Sequence, residues 1–259
     1  MSDVHPWLRV EHAGPVLTIT LANPKERNAQ TPSLWRALAG VGDSVPDTVR
    51  VVVLRGEGES FSAGLHRGML APGGLPNEVD ILGLAATDPD LMDRAIASFQ
   101  RGFTVWRSLS AVVVAVVQGH AIGAGFQLAL AADLRLLADD AQLAMRETSL
   151  GLVPDLGGTW PLVHSVGYAR ALEICATGRF VGAREAVDIG LATAAVPRAE
   201  LDAAADDLVA ALLAAPHRAL RALKPLLSDA IGASPGEQLI AERSAQAALL
   251  TALAQRARG

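Results

Sequence analysis

The sequence predicts an α/β fold, and three observations carry this prediction. Two short runs rich in valine, at residues 50–54 and 112–117, are typical of buried parallel strands. Each run leads into a glycine-rich turn, at residues 56–68 and 118–125. Alanine- and leucine-rich helical patterns follow the turns and continue to the end of the chain. Strand, turn, helix and strand recur in this order, which indicates an α/β fold of repeated ββα-like units.

Composition and charge exclude several classes of protein. The chain has 259 residues, a length that α/β folds often reach undivided. Its net charge of −5 provides no basic field, so we expect no nucleic-acid partner. No apolar run is long enough to span a membrane and no secretory leader is recognisable, so we expect a soluble, cytoplasmic protein with no membrane partner. The single cysteine, Cys175, lies in an apolar run and is predicted to be a buried structural thiol.

The first half of the chain is predicted to contain two further strands and two helices. Residues 7–11 and 16–21 are predicted strands, because the run VLTIT alternates apolar and threonine residues. A helix is predicted over residues 31–40, since its Thr-Pro start is favourable for a helix cap and first turn. Residues 71–88 are rich in glycine and proline and predict a surface loop near a binding site. Residues 90–109 carry an apolar stripe that is typical of a helix.

The second half is predicted to be mainly helical. Its predicted elements are a buried helix at 126–132, strands at 134–138 and 142–144, and helices at 168–177, 183–189, 201–214, 216–229 and 235–256. The last three helices are rich in alanine and leucine. Two alternatives remain open for them: they pack on a neighbouring subunit, or they pack on the chain's own core.

The two glycine-rich turns are the first candidates for a binding site. In GHAIGAGFQ, a strand, a turn and a helix start leave free N–H groups that point into one place. Such amides bind a phosphate or a developing oxyanion. SFSAGLHRG follows the other buried strand, so the two turns can face each other and hold a thioester oxygen that takes on enolate charge. The dinucleotide-binding pattern is broken, because Leu128 stands where its third glycine is needed.

Two carboxyl groups beyond the second turn are candidates for proton transfer. Glu147 lies between apolar segments, where partial desolvation would raise its pKa and make it a usable base near neutral pH. Asp155 lies between an apolar run and glycines, and taken alone it is more typical of a helix cap or a surface ion pair. Asp139 and Asp140 are interpreted as solvated turn charges. The histidines lack the spacing of metal ligands, so no zinc site is expected.

Together these segments resemble the crotonase superfamily of enoyl-CoA hydratases and isomerases. The matching segments, in the expected order over about residues 16–197, are NPKERNAQT, VVVLRGEGESFSAGLH, VVAVVQGHAIGAGFQLALAADLRL, AQLAMRETSLGLVPDLGGTWPLVHSVGYARALEICATGR and AREAVDIGLATAAVP. The resemblance implies a crotonase-like spiral of ββα units at residues 1–197 and a C-terminal helical trimerisation region at residues 198–259. It also implies a homo-trimer or a dimer of trimers that acts on an acyl-CoA substrate. Coenzyme A then enters as part of the substrate, and no tightly bound cofactor or metal is expected.

The resemblance also implies roles for individual residues. The backbone N–H groups of Leu65 and Ala124 would form the oxyanion hole. The loop around Lys25 would meet the nucleotide of CoA, and Lys224 would reach CoA phosphates, often in a neighbouring subunit's site. The full set of residues expected to contact CoA is Lys25, Arg27, Ala29, Ala63, Leu65 and Lys224.

Three positions bear on which reaction the chain performs. A hydratase of this family uses two glutamates, of which Glu147 matches the second, while the first falls at position 127 (147 − 20) and is Gln127. A glutamine amide can position a water or a substrate, but it cannot exchange a proton at neutral pH. Asp155 lies where some double-bond isomerases of the family carry an aspartate. His66 stands where an acidic residue often follows the first oxyanion position, which bears on substrate preference.

We therefore expect an enzyme that shifts a double bond of an enoyl-CoA through a thioester enolate. Its catalytic candidates are Glu147, Asp155 and Gln127. The nearest alternative is an enoyl-CoA hydratase that adds water to 2-enoyl-CoA with Glu147 as its sole glutamate. Two alternatives belong to other functional classes. One is a non-catalytic acyl-CoA binder of the same fold. The other is a nucleotide-dependent dehydrogenase, which is disfavoured because Leu128 breaks the dinucleotide-binding glycine pattern.

Overall fold

The structure is a computed structural model that describes residues 4–257. Within this range the chain forms nine β-strands and ten α-helices. The strands are β1 (Leu8–Ala13), β2 (Val16–Leu21), β3 (Val51–Gly56), β4 (Val112–Val117), β5 (His120–Ile122), β6 (Leu134–Ala138), β7 (Gln142–Ala144), β8 (Val181–Gly182) and β9 (Ala194–Val196). The helices are α1 (Pro32–Asp43), α2 (Ile81–Thr87), α3 (Pro89–Ser108), α4 (Ala124–Ala131), α5 (Thr159–Val166), α6 (Tyr168–Thr177), α7 (Ala183–Asp188), α8 (Leu201–Ala214), α9 (His217–Asp229) and α10 (Pro235–Arg256).

Six strands form the main sheet, in the order β1-β2-β3-β4-β6-β9. β1 pairs with β2 antiparallel, and the four other pairings are parallel. β3 and β4 are direct neighbours with Val53 opposite Val114, so their carboxyl ends lie at the same edge of the sheet. The short strands β5, β7 and β8 form a second sheet. The α/β fold predicted from the valine-rich runs is confirmed.

Both faces of the main sheet are covered, which explains why β4 is apolar at every position. Alternate side chains along a strand point to opposite faces. Val113 packs in a core that includes Trp35 of α1 and Phe103 of α3. Its neighbour Val114 packs in a second core that includes Leu201 of α8. All six residues of β4 are therefore buried, as expected for an inner strand of a parallel sheet.

Of the two alternatives left open for the helical tail, packing on the chain's own core is observed for α8. α8 packs on the chain's own sheet through the second core, so this helix belongs to the chain's own fold. α9 and α10 contain no buried residue. Their exposed apolar side chains include Leu227 and Leu253, which are 62 % and 60 % exposed. No helix within residues 4–257 has both the length and the apolar character needed to cross a membrane.

The prediction of a surface loop at residues 71–88 is wrong for the last part of this segment, residues 81–87. α2 forms there, because the Asp80 side chain accepts a hydrogen bond from the Gly83 N–H at 2.9 Å and caps the helix. α2 has only seven residues and buries none of them, so it is too short to show the apolar period that usually indicates a helix.

The second glycine turn is also shorter than predicted. Residues 120–122 of the predicted turn form β5, which pairs with β7. α4 begins at Ala124, two residues before the predicted start. The reason is Gly123, whose φ of 51° turns the backbone from β5 directly into the helix. Ala124 is thereby placed at the first helical position, where the backbone N–H has no partner inside the helix.

Candidate active site

The two glycine-rich turns after β3 and β4 are joined to each other by backbone hydrogen bonds. Phe61 N–H donates to the carbonyl oxygen of Gln118 at 2.8 Å. Ser62 N–H donates to the carbonyl oxygen of His120 at 2.9 Å, and Ile122 N–H donates to the carbonyl oxygen of Ser62 at 3.0 Å. The turns lie side by side because β3 and β4 are parallel neighbours that end at one edge of the sheet.

Two glycines allow this close approach. Gly64 has a φ of 83°, and a Cβ atom there would overlap the carbonyl oxygen of Ile122 and lie 3.3 Å from the Ala124 nitrogen. A Cβ atom on Gly125 would lie 2.5 Å from the carbonyl oxygen of Ser62. The first turn is thus held directly against the start of α4, and larger residues at either glycine would separate them.

Leu65 and Ala124, the residues predicted to present oxyanion amides, follow this contact in each turn. Neither backbone N–H has a hydrogen-bond partner within residues 4–257. The neighbouring groups of the first turn are engaged, because Gln30 N–H donates to Gly64 and His66 N–H donates to Gln30, both at 2.8 Å. Two unengaged amides on adjoining turns are the arrangement that stabilises a developing oxyanion.

A loop between β2 and α1 supports the first turn through Asn28. This asparagine has a φ of 54° and is 1 % exposed. Its Nδ2 donates to the carbonyl oxygens of Glu57 and Ser60 at 2.9 and 2.8 Å. Its Oδ1 accepts from the Asn23 N–H at 2.9 Å. No motif marks Asn28 in the sequence, and the only available signal was that an asparagine in a loop tolerates positive φ and binds backbone groups.

A buried polar chain links the same turn to α1. Trp35 Nε1 donates to Gln30 Oε1 at 2.8 Å, and Gln30 Nε2 donates to Ser62 Oγ at 2.9 Å. The Ser62 hydroxyl donates to the Asn28 carbonyl oxygen at 2.7 Å and accepts from the Gly64 N–H at 3.1 Å. These groups were not predicted either. Fully satisfied networks of this kind give a loop one conformation.

The carboxyl group of Glu147 lies beside the second turn. A Cβ atom on Gly123 would be 3.3 Å from Glu147 Oε1, so the missing side chain leaves the carboxylate uncovered on that side. Gln127 Nε2 donates to the same Oε1 at 2.8 Å. Gln127 Oε1 in turn accepts from the backbone N–H groups of Leu156 and Gly158, at 2.9 and 3.2 Å. The helix after the turn, Glu147 and the segment that follows Asp155 are therefore connected through one amide.

Burial raises the pKa values of both carboxyl groups in this region. For Glu147, burial is the largest cause, and the charge of Asp155 raises the pKa further. The backbone N–H of Glu147 itself, the Gln127 amide and the N–H of Arg146 act in the opposite direction. For Asp155, burial raises the pKa and its own backbone N–H lowers it. Raised pKa values suit groups that gain and lose protons near neutral pH.

The residues predicted to contact CoA occupy different surroundings. Lys25 and Arg27 are exposed on the supporting loop, whereas Ala29 is buried. The Ala63 N–H donates to the Arg27 carbonyl oxygen at 2.8 Å, so this loop and the first turn meet. The Nδ1 atom of His66 accepts from the Gly68 N–H at 3.1 Å.

Lys224 does not lie with the others. Its Nζ is 2.8 Å from Asp133 and 2.9 Å from the carbonyl oxygen of Ala111. Asp133 precedes β6 and Ala111 precedes β4, so the ammonium is at the amino ends of the strands. The two turns are at the opposite edge of the sheet. Within one chain, the structure therefore does not bring Lys224 to the turns.

Two further kinds of reactive group are the Cys175 thiol and side chains that could bind a metal ion. Cys175 is half-buried rather than fully buried, and burial raises the pKa of its thiol. This favours a structural over a nucleophilic thiol. Within the part of the chain that the structure describes, no three His, Cys, Asp or Glu side chains are grouped as they would be around a metal ion.

The sequence and the fold of this chain are similar to those of proteins named for acyl-CoA chemistry. The sequence model described as enoyl-CoA hydratase/isomerase matches residues 11–258. The carnitinyl-CoA dehydratase of Salmonella typhi is 34 % identical over 223 residues, which cover 85 % of this chain and 79 % of the relative. A Bacillus subtilis protein provisionally named an enoyl-CoA hydratase/isomerase is 32 % identical over 209 residues, covering 80 % of this chain and 75 % of that protein.

Solved structures agree with these relatives. A protein of Thermobifida fusca, provisionally named an enoyl-CoA hydratase and solved in complex with acetoacetyl-CoA, is 48 % identical with a TM-score of 0.91. The match covers 95 % of each chain. An enoyl-CoA hydratase of Bacillus anthracis is 27 % identical with a TM-score of 0.82, and the match covers 95 % of this chain and 91 % of that one.

Proposed function

Because this chain belongs to the enoyl-CoA hydratase/isomerase family, we propose that it shifts a double bond of an enoyl-CoA thioester. The observation that carries the proposal is the identity and engagement of Gln127. A second glutamate at this position would allow addition of water with two carboxylates. The amide has no proton to exchange at neutral pH, and its oxygen is occupied by two backbone N–H groups. Glu147 and Asp155 are then the acid–base pair of the site.

The reaction needs one base, one acid and an oxyanion hole. The ionised carboxylate of Glu147 removes a proton from the carbon α or γ to the thioester. The electron pair moves onto the thioester oxygen, where the N–H groups of Leu65 and Ala124 stabilise the enolate. Glu147 or Asp155 then returns a proton at another carbon, and the double bond is shifted. Each oxyanion donor typically contributes about 3 kcal/mol to lowering the barrier.

The proposed substrate is an acyl-CoA that binds with its thioester at the joined turns. Support comes from the Thermobifida fusca protein, which was solved with CoA and with acetoacetyl-CoA. The exposed side chains of Lys25 and Arg27 provide positive charge for the nucleotide end, on a loop that contacts the first turn through Ala63. We further propose that the exposed apolar faces of α9 and α10 pack between subunits of a trimer or a dimer of trimers.

Hydration of 2-enoyl-CoA is the second candidate function. Two observations favour it. Only one hydrogen of the Gln127 amide nitrogen is used by Glu147, so the other can bind a water oxygen. Similar structures also carry the name enoyl-CoA hydratase. In this reaction Glu147 alone would take the proton of the water and supply one to the α carbon.

One pair of assays separates the two functions. The purified protein is offered a 3-enoyl-CoA and, separately, the matching 2-enoyl-CoA, and the products are identified by chromatography. An isomerase converts the first into the conjugated 2-enoyl-CoA. A hydratase converts the second into 3-hydroxyacyl-CoA, and this compound as the main product would overturn the isomerase proposal. Glu147→Ala should abolish turnover, whereas Glu59→Gln, which changes an exposed carboxyl group on the loop after β3, should retain it.

The same assays also test whether this chain binds acyl-CoA without catalysing a reaction. If the wild-type protein and Glu147→Ala bind acyl-CoA equally and neither turns over either enoyl-CoA, the chain is an acyl-CoA binder. Isothermal titration with a saturated acyl-CoA measures binding without requiring turnover.

A further inference from the structure

The hydrogen bonds around Gln127 distinguish the two oxygens of Glu147. We propose that Gln127 is a positioning residue, which occupies Oε1 of Glu147 and leaves Oε2 as the atom that exchanges protons with the substrate. The inference rests on the proposed function only in requiring that Glu147 act as a base. It holds equally for a double-bond shift and for any reaction that begins with removal of an α proton.

The orientation of the Gln127 amide is set by the protein rather than by the substrate. Gln127 is 1 % exposed. Its oxygen faces two backbone donors, the N–H groups of Leu156 and Gly158. A flipped amide would place its NH₂ group against these two donors, which is unfavourable. The nitrogen must therefore point to Glu147, where it donates at 2.8 Å.

A glycine allows the amide to take this place. A Cβ atom on Gly158 would lie 2.7 Å from Gln127 Cγ, so a side chain there would displace the glutamine. The contact is close and specific to this position. Gln127 is thus held on its oxygen side by the segment after Asp155 and reaches Glu147 on its nitrogen side.

The two oxygens of Glu147 consequently differ. Oε1 accepts from Gln127, whereas Oε2 is buried and has no hydrogen-bond partner within residues 4–257. An unsatisfied buried oxygen is uncommon in proteins and costs stability, so its presence on a carboxyl group next to the second glycine turn indicates a role in the reaction. A lone pair that no protein donor occupies is the one available to a substrate C–H group.

The charges around Glu147 make the hydrogen bond from the Gln127 amide important for ionisation of the Glu147 carboxyl group. The negative charge of Asp155 raises the pKa of Glu147. The negative charge of Glu147 in turn raises the pKa of the Cys175 thiol on α6. The Arg146 guanidinium is engaged elsewhere, since its Nη1 donates to Gly178 at 3.0 Å. Gln127 is the side-chain donor that offsets burial and the nearby negative charge, so its loss should make the Glu147 carboxylate harder to ionise.

The test uses a substrate that can be neither isomerised nor hydrated. Butanoyl-CoA is incubated with the protein in D₂O, and the exchange of its α protons is followed by NMR as a function of pD. Gln127→Glu keeps an acceptor for the Leu156 and Gly158 N–H groups but replaces the permanent amide donor with a second carboxyl group, which donates to Glu147 only when it is protonated. Gln127→Met removes both and keeps a similar volume. The matched control is Gln100→Met, because Gln100 donates to the Asp155 carbonyl oxygen at 2.7 Å without contacting Glu147.

We expect both Gln127 variants to move the acidic limb of the exchange profile to higher pD. At neutral pD the rate should fall about 10- to 100-fold, the factor that corresponds to one hydrogen bond to a charged group. Gln100→Met should leave the position of the limb unchanged. If Gln127→Met does not fold, Gln127→Leu replaces it as the variant without a donor, and Gln127→Glu, which adds a like charge beside Glu147, should shift the limb at least as far.

An unchanged profile in Gln127→Glu would overturn the proposal, as would an equal shift in Gln100→Met. Failure of the wild-type protein to convert any enoyl-CoA would count against the proposed function alone, since α-proton exchange on butanoyl-CoA does not depend on it. Absence of exchange in the wild-type protein, with butanoyl-CoA bound, would overturn the assignment of Glu147 Oε2 as the proton-transferring atom.

Discussion

At Glu147, the requirements of stability and of reactivity oppose each other. A reactive carboxyl group must be shielded from water, and burial makes its charged form unfavourable. The protein meets this conflict with the Gln127 amide on Oε1 and with nearby backbone N–H groups, and within residues 4–257 it leaves Oε2 without a hydrogen-bond partner. The cost of that arrangement should be measurable in the stability of the folded chain.

Replacing Glu147 by glutamine should stabilise the protein while it removes activity. Since the pKa of Glu147 is raised on folding, the folded state binds the proton more tightly than the unfolded state. Protonated Glu147 therefore stabilises the folded chain relative to ionised Glu147. This stabilisation is fully present at pH values below the pKa of Glu147 in the unfolded chain, and it is lost as the pH rises through the pKa of Glu147 in the folded chain. Glu147→Gln should therefore show a higher Tm above this window and no gain below pH about 4. Turnover should fall roughly 10²- to 10⁴-fold.

Thermal unfolding of both proteins between pH 4 and pH 8, followed by circular dichroism, measures the difference. A constant difference in Tm across this range would show that the substitution acts through packing and not through the charge.

The contact at Gly125 predicts a second residue-scale effect. In Gly125→Ala, the new methyl group would lie 2.5 Å from the Ser62 carbonyl oxygen and force the two turns apart. Overpacking of this kind costs about 1–3 kcal/mol, and turnover should fall because the two amides separate. Chemical denaturation and steady-state kinetics measure the two effects. The matched control is Gly40→Ala at an exposed position of α1, where no atom lies within 4 Å of the new methyl group and the helix should gain about 0.5–1 kcal/mol.

At the scale of elements, three segments that are distant in the chain form the first turn's support. The loop before α1, the turn after β3 and α1 itself are connected through Asn28, Gln30 and Ser62. Each of these polar groups is satisfied by the others, so the segments should order together. The turn that presents the Leu65 amide is therefore only as rigid as the loop before α1.

Asn28→Gly should weaken both the fold and the reaction. Glycine tolerates the φ of 54°, so the substitution removes the side-chain hydrogen bonds without adding backbone strain. Loss of the donor leaves the carbonyl oxygens of Glu57 and Ser60 unsatisfied, which should cost about 2–4 kcal/mol in total. We expect kcat to fall more than KM rises, because the oxyanion amide loses its fixed position. Urea denaturation and steady-state kinetics provide both values.

Asn77→Gly is the matched control for this prediction. Asn77 also has positive φ, at 65°, but it is exposed and makes no side-chain hydrogen bond within residues 4–257. The control should change stability by less than about 0.5 kcal/mol. Equal losses in the two variants would mean that positive φ, and not the hydrogen bonds of Asn28, controls stability.

At the scale of the whole molecule, the apolar surface of the tail is larger than one chain can cover. α8 covers the second face of the sheet with help from Leu220 of α9. Six large apolar side chains of α9 and α10 stay exposed: Leu223, Leu227, Leu239, Ile240, Leu250 and Leu253. Lys224 anchors α9 at the amino ends of the strands through Asp133. The tail is therefore attached to its own core at one end and presents its outer faces to solvent or to another subunit.

Charged substitutions on these faces should reduce the oligomeric state. We predict that the wild-type protein is a trimer or a dimer of trimers and that Leu227→Asp combined with Leu253→Asp yields smaller species. The reason is that a buried, unpaired carboxylate at a subunit interface is strongly unfavourable. Light scattering after size exclusion measures the mass. Leu91→Asp changes an exposed leucine of α3, outside the tail, and should leave the mass unchanged. A wild-type monomer would contradict the prediction.

Features that depend on local pattern could be predicted from the residues alone. Valine-rich runs, glycine turns and the order of motifs were sufficient for the α/β fold and for the family. These signals are readable because burial, helix period and glycine conformation act on neighbouring residues. The substitution of Gln127 for an acid was also visible, as was its consequence for proton transfer.

Tertiary structure alone decided how distant groups are paired. Asn28 binds Ser60 across 32 positions, and Gln127 connects Glu147 to Leu156 and Gly158. Such pairings leave no local periodicity, because they depend on which turns the sheet brings to one edge. For the same reason the sequence did not show that Lys224, which the family resemblance implies for CoA phosphates often in a neighbouring subunit's site, lies beside Asp133 at the opposite edge of its own sheet. The roles of Gln127 and Oε2 follow from the direction of hydrogen bonds, which only the folded chain defines.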